Sequence, residues 1–260
     1  MKLRIMHYNI YIGFHTRAFK FEPHRKKAAQ KLVKEISPDI LIIDEAAFDK
    51  KIKYKKSFGF KYLFYAPNKS SSIKSAIAIL SNYPIISSRN MTKTKHSFAR
   101  VEIKIGTKKI NLDVYHPHPT KTSKERINFL KKHLRKNKNN YILTGDLNSL
   151  SPEDKYPKNL LTCFKKLGPK VMAEISNSIK KETVSYILNQ GMIDTFKSKN
   201  EKFDFTIPTD YLSKDKSTAL RLDYIFCSKD FNILSSKIIK NKLTNQASDH
   251  YPVVTDLEIK

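Results

Sequence analysis

The hydrophobic pattern of the chain is mostly that of short strands, interrupted by stretches of helical period. Leu3 to Ile10 reads as a first strand. From His24 to Ile36, Ala28, Ala29, Leu32, Val33 and Ile36 share one helical face, with Arg25, Lys27, Lys31 and Lys34 expected outside. Ser37-Pro38 ends that helix, because a residue before proline is pushed out of the helical region. Asp39 to Glu45 is a continuous apolar run closing in acid, the pattern of a strand buried on both faces. Strands are expected at Tyr62 to Tyr65, Ser75 to Leu80, Phe98 to Ile105 and Ile110 to His116, with a hairpin at Gly106-Thr107. Thr122 to Arg135 reads as a second amphipathic helix, with Ile127, Leu130 and Leu134 inward and Ser123 as its N-cap. Tyr141 to Thr144 is again a buried strand. Residues 150 to 200 mix helical and irregular character, with a helix expected at Lys180 to Asn189. Strands close the chain at Leu222 to Cys227, Asn232 to Lys240 and Tyr251 to Ile259. Strand–helix–strand at both ends with hairpins between predicts an α/β (α+β) chain, two sheets packed face to face with helices outside.

Composition narrows the class. A chain of 260 residues without repeats or low-complexity linkers is expected to form one domain, 1–260, with a full core. No apolar run approaches the ~20 residues that cross a bilayer. The N-terminal stretch is broken by His7 and Asn9 and lacks a small-residue cleavage site, so a strand is expected there, not a signal peptide. Cys163 and Cys227 are too few for a disulfide framework and fit a reducing compartment, which predicts an intracellular protein, cytoplasmic or nuclear. A monomer is expected.

Charge adds a partner class. Fifty Lys and Arg against 24 Asp and Glu leave a formal net charge of +26. Such a field favours polyanions: nucleic acid, an anionic lipid surface, or a phosphorylated small molecule. Most of the charge is lysine, whereas bidentate readout favours arginine, so compositional bias is the competing explanation.

Candidate chemistry collects at strand ends. Asn9, Glu45, His116, Asp146, Asn148, Asp223, Asp249 and His250 all lie at, or in the loop just after, the C-terminal end of an expected strand. Residues so placed can converge on one rim of a sandwich. The set offers carboxylates, amides and imidazoles but no thiolate cluster, which suits Mg²⁺ or Mn²⁺ and excludes structural zinc. It suits hydrolysis of a phosphoester, with metal neutralising charge and a carboxylate handling water.

Seven segments, in order, carry a resemblance: Tyr8-Asn9-Ile10, Ile43-Asp44-Glu45-Ala46, Leu80-Ser81-Asn82-Tyr83-Pro84-Ile85, Tyr115-His116, Gly145-Asp146-Leu147-Asn148, Arg221-Leu222-Asp223-Tyr224-Ile225-Phe226 and Ser248-Asp249-His250. Together they span about residues 3 to 259, and the chain resembles the endonuclease/exonuclease/phosphatase superfamily. That resemblance implies a four-layer αββα sandwich of two packed mixed β-sheets flanked by helices. It implies Glu45 as principal metal ligand with Asn9 beside it, and Asp249 as a second-metal ligand or an aid to the leaving group. Asp146 would orient or deprotonate the attacking water, Asn148 would donate to the phosphoryl group, and His116 would contact phosphate. His250, held by Asp223, would stabilise the transition state. The insert 150–204 would overhang the site. Tyr11-Ile12-Gly13 after the first strand, and the absence of Trp, depart from the abasic-site enzymes of the superfamily.

Structural alternatives stand beside these roles. Asn9 could cap a turn, Asp146 and Asn148 could form an Asx-turn, and Asp223 could pair with Arg221 at the surface. His7, His15, His24, His96 and His133 are read as structural or exposed. Arg100 could reach the phosphate site or decorate an edge strand, and His118, in His116-Pro117-His118-Pro119, is read as part of a substrate loop. The leading expectation is a Mg²⁺-dependent nuclease or DNA-repair phosphodiesterase. Hydrolysis of phospholipid or inositol phosphate head groups, and a catalytically silent basic binding module, are the alternatives.

Overall fold

A computed structural model describes residues 1–47, 53–68, 75–135 and 139–260. The first sheet contains β1 (Lys2–Asn9), β2 (Ile40–Asp44), β3 (Tyr62–Pro67), β4 (Ala76–Ser81), β11 (Phe231–Ile238) and β12 (Val253–Ile259), in the order β11-β12-β1-β2-β4-β3. The second contains β5 (Ile85–Asn90), β6 (His96–Ile105), β7 (Lys108–Pro117), β8 (Tyr141–Asp146), β9 (Ile193–Asp194) and β10 (Asp223–Cys227), in the order β5-β6-β7-β8-β10-β9. Both are mixed: β1 runs parallel to β2 and β7 parallel to β8, while the other pairs are antiparallel.

Three stacked apolar layers follow from the period of two along each strand. Leu3, Ile5, Ile40 and Ile42 of the first sheet meet Leu112, Val114, Ile142 and Ile225 of the second. The alternate residues Met6, Tyr8, Leu41 and Ile43 pack on Ala29, Leu32 and Val33 of α2 (Pro23–Ile36). Tyr115, Leu143 and Phe226 pack on Phe129 and Leu130 of α4 (Ser123–His133) and on Val184 and Ile187 of α7 (Glu182–Asn189). The result is the four-layer αββα sandwich. A fourth cluster joins Leu160 and Phe164 of α5 (Leu160–Lys166) to Leu150, Leu220 and Leu222, with Val171 and Met172 of α6 (Pro169–Ile175) against it.

Several local expectations are corrected. Arg25 is fully buried, because its guanidinium reaches from α2 to the carbonyls of Ile10 (2.8 Å), His15 (3.1 Å) and Ala247 (2.9 Å). The N-cap of α4 is Thr122, not Ser123: its hydroxyl accepts the Glu125 N–H while the Glu125 carboxylate accepts the Thr122 N–H, a capping box. Arg221 does not pair with Asp223. It is buried between Asp154 and Asp194, each at 2.7 Å. Strands β5 and β9, the five-residue α3 (Tyr54–Phe58) and α8 (Lys242–Ala247) were not expected.

Candidate active site

The inter-sheet face of each central strand is apolar along its length and polar at one end. On β1 the inward positions run Leu3, Ile5, His7, Asn9; on β2, Ile40, Ile42, Asp44; on β7, Leu112, Val114, His116; on β8, Ile142, Thr144, Asp146. On β10, antiparallel to β8, the polar residue comes first, Asp223, then Ile225 and Cys227. Asp223 and Asp146 are cross-strand partners. Asp223 thus opens a strand, and Asp249 and His250 precede one, instead of following, and antiparallel pairing brings those starts to the rim where β1, β2 and β8 end. Ser248 fastens the Asp249 loop to that rim, its hydroxyl donating to the Asn9 carbonyl at 2.7 Å.

Asp146 sits at the centre. One oxygen accepts the Asn148 N–H at 2.9 Å. The other accepts Asn9 Nδ2 at 3.2 Å and lies 3.8 Å from His116 Nε2 and 3.9 Å from His250 Nε2. Asp223 holds His250 through Nδ1 at 2.7 Å, leaving Nε2 turned toward Asp146. The Thr206 hydroxyl accepts the Leu222 and Asp223 N–H groups, fixing where β10 begins. Burial opposes charge on Asp223 and His250, but their attraction prevails. Asp223 is held below the usual carboxylate range, and His250, attracted also by Asp249, well above the usual imidazole range. Asp146 moves the other way, raised by burial and by Asp223 against the pull of His250 and His116.

Beside it, Asn9 Nδ2 also donates to Glu45 Oε1 at 3.2 Å. Glu45 has a left-handed backbone (φ 57°), which swings its side chain back over the end of β2. The turn α1 (Tyr11–Phe14) has positive φ at all four residues, so it is a left-handed turn that delivers two N–H groups, from Tyr11 to Asn9 Oδ1 (3.0 Å) and from Ile12 to Glu45 Oε2 (2.9 Å). Gly13 is required there: a Cβ would lie 2.5 Å from the Ala47 Cβ. Asp249 is pushed up to about 6 by burial, with Glu45 adding to it and His250 opposing.

Sequence-expected residues not brought into this centre are Arg100 and, in part, His118 and Asn148. Arg100 lies on the helix-facing side of β6, in a two-pronged contact with Asp113 (2.9 and 2.7 Å), because its position alternates with the inward Ala99 and Val101. His118 is exposed in the loop after β7, hydrogen-bonded to Thr120 at 2.8 Å. The Asn148 amide is engaged with the Pro117 carbonyl (3.1 Å) and the Ser178 hydroxyl (3.4 Å), at the edge of the centre.

Three residues escaped sequence reasoning. His7 is fully buried, its Nε2 2.9 Å from Asp44 Oδ2, and Asp44 Oδ2 also accepts the Asp146 N–H at 2.8 Å. Buried Arg126 donates to the carbonyls of Pro119 (3.0 Å) and Asn148, tying the two rim loops together. The signal for His7 and Asp44 was available: each continues the inward period-two stripe of its strand. Arg126 carried no such mark, because its partners are backbone carbonyls.

A grouping of Asp146, Asp223 and His250 brings one potential ligand atom from each within 4.8 Å of the others. The 2.7 Å contact inside that group is a hydrogen bond, which makes it an orienting pair facing a carboxylate.

A family model for the endonuclease/exonuclease/phosphatase family matches residues 6–250. No curated protein matches the chain at a significant level. Among solved structures, an endonuclease/exonuclease/phosphatase from Bacteroides vulgatus superposes with a TM-score of 0.74 at 14% identity, covering 100% of both chains. An AP endonuclease from Archaeoglobus fulgidus gives 0.66 at 17% identity, over 97% of this chain and 98% of that one. D. rerio TDP2 complexed with single strand DNA product gives 0.64 at 15% identity, over 99% of each. These likenesses share the fold.

Proposed function

The chain belongs to the endonuclease/exonuclease/phosphatase family and is a metal-dependent phosphoester hydrolase; from that premise we propose a Mg²⁺-dependent phosphodiesterase acting on nucleic acid. The observation that carries the reading is the Asp146 carboxylate, faced by His250, His116 and Asn9 on one rim. Nucleic acid as substrate is supported by the net charge of +26 and by fold relatives that include an AP endonuclease and a DNA-bound protein.

Asn9, Glu45 and Asp249 would hold the metal. Their donors are hard oxygens, and the raised Asp249 carboxyl next to Glu45 is the arrangement that a bound cation relieves. When bound, Mg²⁺ supplies positive charge for the phosphoryl oxygens. The rest falls to side chains. Raised by burial and by Asp223, Asp146 is a better proton acceptor than a surface carboxylate and takes the proton of the attacking water. Water oxygen bonds to phosphorus as the opposite ester P–O bond breaks. His250, held charged by Asp223, and His116 stabilise charge on the equatorial oxygens.

Residues 150–204 are proposed to shape access. Ser178 reaches Asn148, and the Asn177 amide donates to the Thr120 carbonyl at 3.2 Å, which puts this segment against the His118 loop.

Cleavage of supercoiled plasmid, single-stranded DNA and abasic oligonucleotides in Mg²⁺ tests the proposal beside Asp146→Asn and His250→Ala. Cleavage by the parent that both variants abolish is expected. No cleavage above the variants' background would overturn the nucleic-acid substrate, and phospholipids and inositol phosphates would then be screened.

A further inference from the structure

The proposed chemistry leaves His7 without a task, yet its ring is fully buried directly beneath the reacting groups. Its Nε2 meets Asp44 at 2.9 Å and its Nδ1 lies 3.5 Å from Asp223 Oδ1. Asp223 holds His250 with its other oxygen, and Asp44 accepts the Asp146 N–H. His7 and Asp44 belong to the first sheet, Asp223 and Asp146 to the second. Among the described residues three polar links therefore cross between the sheets here, His7 to Asp223, Asp44 to Asp146 and Asn9 to Asp146. Of the inward residues behind them, Ile5, Ile40, Ile42, Val114, Ile142 and Ile225 are apolar, and the hydroxyl of Thr144 is spent on the Tyr224 carbonyl.

Apolar packing sets the spacing of two sheets but has no direction. It does not determine the angle at which a carboxylate meets an imidazole. A buried charged pair is also a poor source of stability, since apolar residues of similar volume commonly do as well or better. What such a pair supplies is orientation. Among the described residues, His7 Nδ1 and Asp223 Oδ1 have no hydrogen-bond partner, so each has the other as its polar neighbour.

We propose that His7, together with Asp44, is a positioning residue for the hydrolytic centre: it braces the two sheets beneath the rim and holds Asp223 at the angle that aims His250 at Asp146. This rests on the reading that Asp146 and His250 carry the chemistry.

The test compares full-length parent, His7→Leu, His7→Gln and His7→Leu/Asp44→Leu in Mg²⁺ buffer. The readouts are kcat and KM on bis(p-nitrophenyl) phosphate, the thermal midpoint, and the ring nitrogen-15 resonances of His250. Replacing His7 is expected to lower kcat by about 10- to 100-fold with KM within about twofold, as removal of an orienting partner does, and to move the His250 resonances. His7→Gln keeps a polar group but reaches only one of the two carboxylates, so it should fold and lose kcat like His7→Leu. Parental kcat in His7→Gln, or unmoved His250 resonances in any folded variant, would overturn the brace. A parent inactive on the diester would count against the functional reading, while the His250 resonances would still decide the role of His7.

Discussion

Asp223 acts through His250: its 2.7 Å contact with Nδ1 decides which ring nitrogen faces the reaction. Asp223→Ala should therefore reduce kcat by about 10²- to 10⁴-fold with little change in KM. Steady-state kinetics check this, and a loss below tenfold would mean that the ring is oriented by something else. A second titrating residue concerns stability. Burial against Tyr115 and Phe129, with Lys121 nearby, lowers His96 from 6.5 to about 4. The unfolded chain then binds more protons between those values. The stabilising term is complete above pH 6.5 and is lost as pH falls toward 4. Urea unfolding at pH 7.5 and pH 5 should show a smaller pH difference in His96→Gln than in the parent, and an equal difference would contradict this. At this scale the sequence identified the reactive residue types, and the resemblance the Asp223–His250 pair, but not partners such as Asp44 for His7. Asp146, Asp223 and His250 stood out because polar side chains at the ends of apolar runs are conspicuous. Arg100 could not be placed, because one residue of register decides which side of a strand it occupies.

The elements differ in how far local sequence dictates them. The two long helices, α2 and α4, were legible from their apolar spacing, but the guanidiniums of Arg25 and Arg126 turn inward to cap carbonyls from distant loops. β5 is exposed over most of its length, so it carried no apolar alternation, and β9 has two residues. The capping box of α4 should be worth about 1 kcal/mol, so Thr122→Ala is expected to lose that amount in urea unfolding. Gly145 precedes Asp146 on β8 at φ 148°, where a Cβ would come within 2.0 Å of the Tyr115 carbonyl oxygen. Gly145→Ala should cost at least about 3 kcal/mol, because backbone must move and no side-chain rotation relieves the clash. A stability within about 1 kcal/mol of the parent in the same unfolding experiment would show that β7 and β8 can separate.

For the molecule as a whole, +26 is a long-range property that no single contact reports. If the basic surface follows a phosphate backbone, binding of duplex DNA by Asp146→Asn should fall by on the order of 10³-fold between 50 and 200 mM salt for about six neutralised phosphates. A nearly flat salt dependence in a binding titration would assign the charge to composition. The sequence by itself determined the strand and helix periods, the apolar stripes that build three layers, and the polar residues that end those stripes. These are local properties, because alternation along a strand needs no knowledge of its neighbours. The tertiary structure alone decided which ends share one rim. β1, β2, β8 and the starts of β10 and β12 meet there through pairings between residues such as Asp223 and Asp146, or His7 and Val253, far apart in the chain. It also decided that His7 lies between Asp44 and Asp223, since a buried imidazole takes its role from whichever carboxylates the neighbouring strand and the opposing sheet present.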